Sequence, residues 1–252
     1  MEMEQIIDNI VKQVILDFIN KKDTKSDEGI ISENEHPLYY AIPKQMREYA
    51  KKVTSFTISC GYIYEKIYFN VCNLFKKEVS KEIKGYITEE QDAKIVEYIN
   101  DKTHHVHTSY DIFDELDKLV VIGDNIKQKT YKVDTCFLDD DDTYYIVESK
   151  LSGNMDNKKS KSEKTELLKR YCVLKNNGCE KVKPTMGVIY NLYGEGEEWH
   201  QERVLQFFDR TEIFLGLDFW KSATNSEKYA QCIINSLKKH RELITKHIFQ
   251  EN

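Results

Sequence analysis

Residues 133–150 constrain this chain more than any other stretch. Val133-Asp134-Thr135-Cys136-Phe137-Leu138 and Thr143-Tyr144-Tyr145-Ile146-Val147-Glu148-Ser149-Lys150 are apolar runs rich in β-branched and aromatic residues, and Asp139 to Asp142 stand between them. Such runs are strand material, and an acidic run that resists burial belongs in a turn. A β-hairpin is therefore expected. Glu148 and Lys150 are two apart and share one strand face. If Leu138 opposes Tyr144, residues 139–143 form a loop of common length, and Asp134 opposes Glu148 on that same face. Two carboxylates and one ammonium then meet at one edge of a sheet.

That grouping has a chemical use. Two close carboxylates make a hard-oxygen site suited to Mg²⁺, which keeps several waters and accepts phosphate oxygens. A lysine beside them orients or helps to deprotonate an attacking water and neutralises charge building at phosphorus. The competing reading is a surface hairpin with an exposed Glu–Lys pair, which is worth little. Spacing alone leaves both standing.

At 252 residues, 40% hydrophobic and 32% charged, the chain suits one large soluble domain over 1–252. Within it, 1–35 is expected to be an N-terminal helix and polar loop, 53–191 the catalytic core and 192–252 a helical C-terminal part. No apolar run reaches the ~20 residues of a membrane span. The acidic start Met1-Glu2-Met3-Glu4 does not read as a signal peptide. Six cysteines without a CxxC spacing read as reduced thiols in a cytoplasmic protein. A net charge of −6 argues against a general polyanion binder, yet it admits a sequence-specific DNA enzyme with a local positive groove.

Along the chain, residues 3–20 carry apolar side chains at helical spacing, and 21–36 read as a polar loop. His36-Pro37 fixes an extended entry to Leu38 through Pro43. Lys44, Arg47, Lys51 and Lys52 lie on a short helix over 44–52, as a solvated face or as phosphate contacts. Ser55 to Glu65 lead into a helix to about Val79. Glu65 falls near its apolar face, either as a third acidic residue of the site or paired with Lys66. Thr88-Glu89-Glu90-Gln91 is a capping box for a helix to about Asp101. His104-His105-Val106-His107 lacks partners at ligand spacing and reads as a polar loop. A short helix over 109–120 and a strand start at Val120 to Asn125 precede the hairpin.

After Lys150 a polar loop leads into a helix to about Lys175. Lys158, Lys159, Lys161 and Lys164, with Lys169 and Arg170, make this the most basic stretch, either a solvated loop or phosphate contacts beside the cut. Pro184 to Asn191 form a buried strand, so the helix is a crossover returning parallel to the Glu148 strand. Tyr193 to Gly196 is a turn, short elements span 198–208 and 217–221, and Thr224-Asn225-Ser226-Glu227 caps a last helix.

Asp134, Glu148 and Lys150 in this hairpin resemble the motif of the PD-(D/E)xK nucleases, with Val133 where that motif usually has proline. Ser55 to Ile67, the lysine-rich helix after Lys150, Tyr190-Asn191-Leu192-Tyr193-Gly194 and Leu215 to Trp220 add to the likeness. In that order they are similar to type II restriction endonucleases that cut GGNCC-like sites, over residues 36–245. The resemblance implies an α/β fold: a mixed central β-sheet of the restriction-endonuclease-like kind, flanked by helices, with N- and C-terminal helices. It implies a Mg²⁺-dependent homodimer, with Mn²⁺ able to substitute, that hydrolyses double-stranded DNA at a short palindrome, and a cognate DNA methyltransferase. Glu65 matches a helix glutamate of that pattern. Base readout would fall to residues such as Arg203, Gln206, Arg210, Lys44 or Arg47, among which the sequence does not choose. Two other readings stand beside it: a DNA-binding protein on an inactive nuclease fold, and a repair or RNA-processing nuclease with the same site.

Overall fold

The expected hairpin is the centre of a five-stranded mixed sheet. The computed structural model describes residues 2–23, 43–104 and 112–249. Its strands are β1 (Lys77–Thr88), β2 (Ile126–Leu138), β3 (Thr143–Lys150), β4 (Lys181–Val188) and β5 (Ile213–Leu215), in the order β1-β2-β3-β4-β5. β1/β2 and β2/β3 are antiparallel, and β3/β4 and β4/β5 are parallel. The helices are α1 (Glu2–Asp23), α2 (Lys44–Phe75), α3 (Glu89–Thr103), α4 (Ile112–Asp117), α5 (Asn157–Asn176), α6 (Glu202–Leu205), α7 (Leu217–Thr224) and α8 (Glu227–Phe249). This is the α/β architecture expected from the sequence. The loop from Thr24, the extended entry through Ile42, and His105 to His107 lie outside the described residues.

The chain divides into two compact units. One comprises Met1–Asn70 and Gln231–Asn252, and the other Val71–Ala230. In the first unit α1 buries Ile7, Val11, Val14 and Ile15. Its polar side reaches α8, where Asp8 accepts from Ser236 (2.6 Å) and Lys239 (2.7 Å) and sits 3.0 Å from His240. Asp17 pairs with Lys66 of α2 at 2.9 Å.

The second unit holds the sheet. Leu138 opposes Tyr144 and Thr135 opposes Val147, which is the expected hairpin register. The turn is tighter by one residue, because β3 already begins at Thr143 and Asp142 adopts a left-handed φ of 61° that aspartate tolerates. The acidic run is also better anchored than its charge suggests. Asp139 accepts from the fully buried Lys76 at 2.8 Å and from Asn225 at 2.8 Å.

α5 carries the chain from β3 to β4 as the expected crossover, capped by Asp156, which accepts from the Lys159 N–H at 2.7 Å. It covers the face bearing Cys136, Ile146 and Met186 with Leu167, Leu168 and Tyr171, all buried in one core cluster. On the opposite face Tyr145 stacks on Phe137, and Phe219 of α7 lies over Gly187. A Cβ on Gly187 would stand 2.5 Å from the Phe219 ring, so only glycine lets this helix approach β4.

Four expectations need correction. Residues 44–75 form one helix rather than two, and it stops at Phe75 instead of about Val79, because β1 starts at Lys77. β1 is an edge strand whose first eight residues are mostly charged and which buries Ile83 and Ile87, so its hydrophobic signal is faint. Val120 to Asn125 are not strand, since β2 starts at Ile126. At α8 the Tyr229 N–H points to the Ser226 hydroxyl, while Thr224 ends α7. The capping box Thr88-Glu89-Glu90-Gln91 is present as expected, with both reciprocal bonds made.

Candidate active site

The site builds up from the hairpin register. Continuing the β2/β3 pairing one step past Thr135/Val147 sets Asp134 across from Glu148, on the sheet face covered by α5. Asp134 Oδ2 accepts from the Ser149 N–H at 2.7 Å. Lys150 Nζ donates to Glu148 Oε1 at 2.9 Å. The three residues that the hairpin pattern singled out thus meet at the open end of the hairpin, where β3 ends.

α5 adds two groups that the hairpin pattern does not reveal. Arg170 Nη1 donates to Glu148 Oε2 at 2.9 Å, and Glu163 lies 3.2 Å from Lys150 Nζ. Glu163 also pairs with Lys159 at 2.5 Å. Charges therefore alternate from Arg170 through Glu148, Lys150 and Glu163 to Lys159. A cleft of about 440 Å³ opens here, lined by Lys81 and Glu82 of β1, Lys132 and Asp134 of β2, Glu148 and Arg170.

The electrostatics follow from burial and this charge order. Burial, then the neighbouring Glu148 carboxylate, push Asp134 up to about 6 against the Ser149 N–H, Lys150 and Arg170. Burial works against the charged forms of Lys150 and Glu163, but their mutual attraction, with Glu148 and Lys159, keeps Lys150 above and Glu163 below their ordinary values. Lys150 thus stands as an ammonium facing the carboxylates.

A divalent cation fits this donor set. Asp134 and Glu148 offer hard oxygens side by side, and burial with the neighbouring Glu148 disfavours the charged form of Asp134, a cost that a bound cation would offset. Among the described residues no group of three or more His, Cys, Asp or Glu is arranged to hold a metal. A pair of carboxylates suits an ion that keeps most of its water and takes phosphate oxygens, as Mg²⁺ does.

The other expected site residues are spread differently. Lys158 and Lys159 are exposed on the first turn of α5, and Lys161 is half-buried with Asn100 Oδ1 3.4 Å away. Lys164 corrects the phosphate-contact expectation: its side chain is fully buried and hydrogen-bonded to Glu212, so it cannot reach a DNA backbone. Glu65 lies on α2, in the first unit. Gln206 spends its amide on the Lys102 and Thr103 carbonyls at the end of α3, and Arg210 pairs with Glu198 at 3.2 Å. Arg203 is exposed.

A sequence signal for Glu163 and Arg170 exists. They are seven apart, two helical turns, and so lie on one face of α5 with charges that complement Lys150 and Glu148.

No curated protein and no solved structure matches the chain. A family model described as type II restriction endonuclease, HinfI, matches residues 3–240, nearly the whole chain. With that coverage, and an α/β sheet consistent with the restriction-endonuclease-like fold, the chain belongs to the HinfI family of type II restriction endonucleases, nucleases that cut DNA site-specifically.

Proposed function

We propose that this nuclease hydrolyses both strands of double-stranded DNA at a short palindromic site, with Mg²⁺ as cofactor and Mn²⁺ as a substitute. The observation carrying this reading is the convergence of Asp134, Glu148 and Lys150 at one end of the hairpin. Asp134 and Glu148 would hold the metal, which supplies Lewis-acid activation and charge stabilisation when bound. The Lys150 ammonium neutralises charge developing at the phosphate and orients the attacking water. Glu65 keeps the supporting role that the resemblance implies. Lys158, Lys159 and Lys161 contact backbone phosphates beside the cut.

The family's namesake recognises GANTC. That is a different sequence from the GGNCC-like sites suggested by motif order, so the target is proposed only as a short palindrome. A two-fold symmetric target calls for a two-fold symmetric protein, hence a homodimer, and self-protection calls for a cognate methyltransferase. The six free thiols suit the cytoplasm. Among the described residues no helix is long and apolar enough to cross a membrane.

Plasmid digestion tests the reading. The protein with Mg²⁺ yields discrete fragments whose ends map the site, and Glu148→Ala or Lys150→Ala slows cutting ~10²-fold or more. Unchanged cutting in both variants removes the site assignment. Binding without cutting under either metal favours an inactive nuclease fold, and unspecific nicking favours a repair-type enzyme.

A further inference from the structure

The α5 residues Glu163 and Arg170 have no role in the proposed reaction so far, yet each holds one member of the Glu148–Lys150 pair. On β3 these two stand two residues apart, about 7 Å along the strand. On α5 their partners stand seven apart, about 10 Å along the helix and on the same face. α5 leads from β3 back to the parallel β4, so along the sheet it runs counter to β3. Glu163, nearer its N-terminus, therefore meets Lys150, and Arg170, further on, meets Glu148.

We infer that Glu163 and Arg170 are positioning residues for this reaction, with Arg170 fixing the Glu148 carboxylate and Glu163 fixing the Lys150 ammonium. Both sit in low-exposure surroundings, with side chains 13% and 11% accessible for Arg170 and Glu163, where a charged hydrogen bond is strong. Each contact restricts a flexible side chain at a point where small displacements cost rate. Arg170 has a second consequence. Its guanidinium occupies Glu148 Oε2 and sets positive charge beside the carboxylate pair, so it competes with a divalent cation for that oxygen.

The inference rests on Glu148 and Lys150 being the catalytic pair, and the experiment separates the two levels. Glu163→Gln and Arg170→Gln are compared with Glu148→Ala and Lys150→Ala in three assays: single-turnover cleavage with Mg²⁺, DNA binding without divalent metal, and Mn²⁺ binding without DNA followed by electron paramagnetic resonance. Both glutamine variants are expected to cut at least ~10-fold more slowly without a matching loss of DNA affinity, since Arg170 is engaged with Glu148 and Glu163→Gln releases Lys159, which holds or raises affinity. Mn²⁺ is expected to bind Arg170→Gln several-fold more tightly, and Arg170→Lys, which keeps the charge, returns that affinity toward the starting value. Should a glutamine variant fail to fold, Arg170→Lys and Glu163→Asp carry the same comparison, with cleavage intermediate. Cleavage within about threefold of the parent in both glutamine variants, or rate losses matched by equal losses of DNA affinity, overturns the inference. If Glu148→Ala and Lys150→Ala also cut normally, the underlying site reading has failed instead.

Discussion

Glu163 and Lys164 are neighbours on α5, and each ends in an ion pair, but the two pairs differ in kind. Lys164 is fully buried against Glu212, with Phe208 and Tyr98 beside its ammonium. Burial pulls its pKa down, and Glu212 only partly offsets this. Glu163 instead shares its charge between Lys150 and the exposed Lys159. Lys164 and Glu212 form a closed pair inside the core. The cleft group is open: it ends on an exposed lysine and stands beside Asp134, whose carboxyl is pushed up to about 6. Breaking a closed buried pair strands a charge in the core, whereas an open group ending on an exposed lysine can exchange partners with a cation or a phosphate.

The largest expected effect tests the closed pair. Lys164→Ala leaves Glu212 buried without its cation and should cost about 3–5 kcal/mol, read as a lower midpoint in denaturant unfolding. Replacing both Lys164 and Glu212 by apolar residues of similar volume should recover most of that loss. Glu148→Ala is the converse case. It loses ~10² or more in cleavage rate, while its unfolding midpoint changes far less than that of Lys164→Ala.

The exposed end of the open group gives a smaller signal. Removing Lys158 and Lys159 together should lower the slope of log DNA affinity against log salt by about 0.9 for each phosphate no longer neutralised. Lys164→Ala, wherever it still folds, should leave that slope unchanged. An equal slope change in both would erase the distinction between the closed pair and the open group.

The smallest effect lies in the first unit, where α1 and α8 share a third group. Burial raises the Asp8 pKa, but bonds from Lys239, Ser236 and His240 outweigh it and hold the carboxyl at about 2. A folded-state pKa below the unfolded one adds stability above about pH 4 that is lost as pH falls through 2. Asp8→Asn should therefore melt slightly lower than the parent at pH 7, and the gap should close between pH 4 and 2. A gap independent of pH would make Asp8 a packing residue.

Much of the fold is written locally in the chain. The hairpin, its register and the Asp134–Glu148–Lys150 grouping follow from two apolar, β-branched and aromatic runs around an acidic turn, signals that need no distant partner. The α5 crossover is legible for the same reason. β1 is not, because Lys77 to Lys84 are mostly charged and only pairing with β2 makes them strand. β5, three residues long, carries too little pattern to stand out. Lys164 reads as a phosphate contact from its place in a basic run, although it lies three, four and seven residues before the buried Leu167, Leu168 and Tyr171. Helical period outweighs local charge there. Glu163 and Arg170 become site residues only when the fold brings α5 over β3.

The parallel pairing of β3 with β4 has a consequence for how the protein is made. Lys150 and Lys181 are separated by the whole of α5 and its flanking loops. At ~5–20 residues per second, a ribosome takes a few seconds to cross that interval. Until β4 is made and released, the outer edge of β3, with Tyr145, Ile146 and Val147, has no partner strand. A chain released just after Lys150 presents an apolar, unpaired edge of the kind that recruits other chains. It also lacks the α5 face that meets Glu148 and Lys150. Products truncated between Lys150 and Lys181 should therefore collect as insoluble aggregates, and those reaching past Leu215, which supply both β4 and β5, should be more soluble.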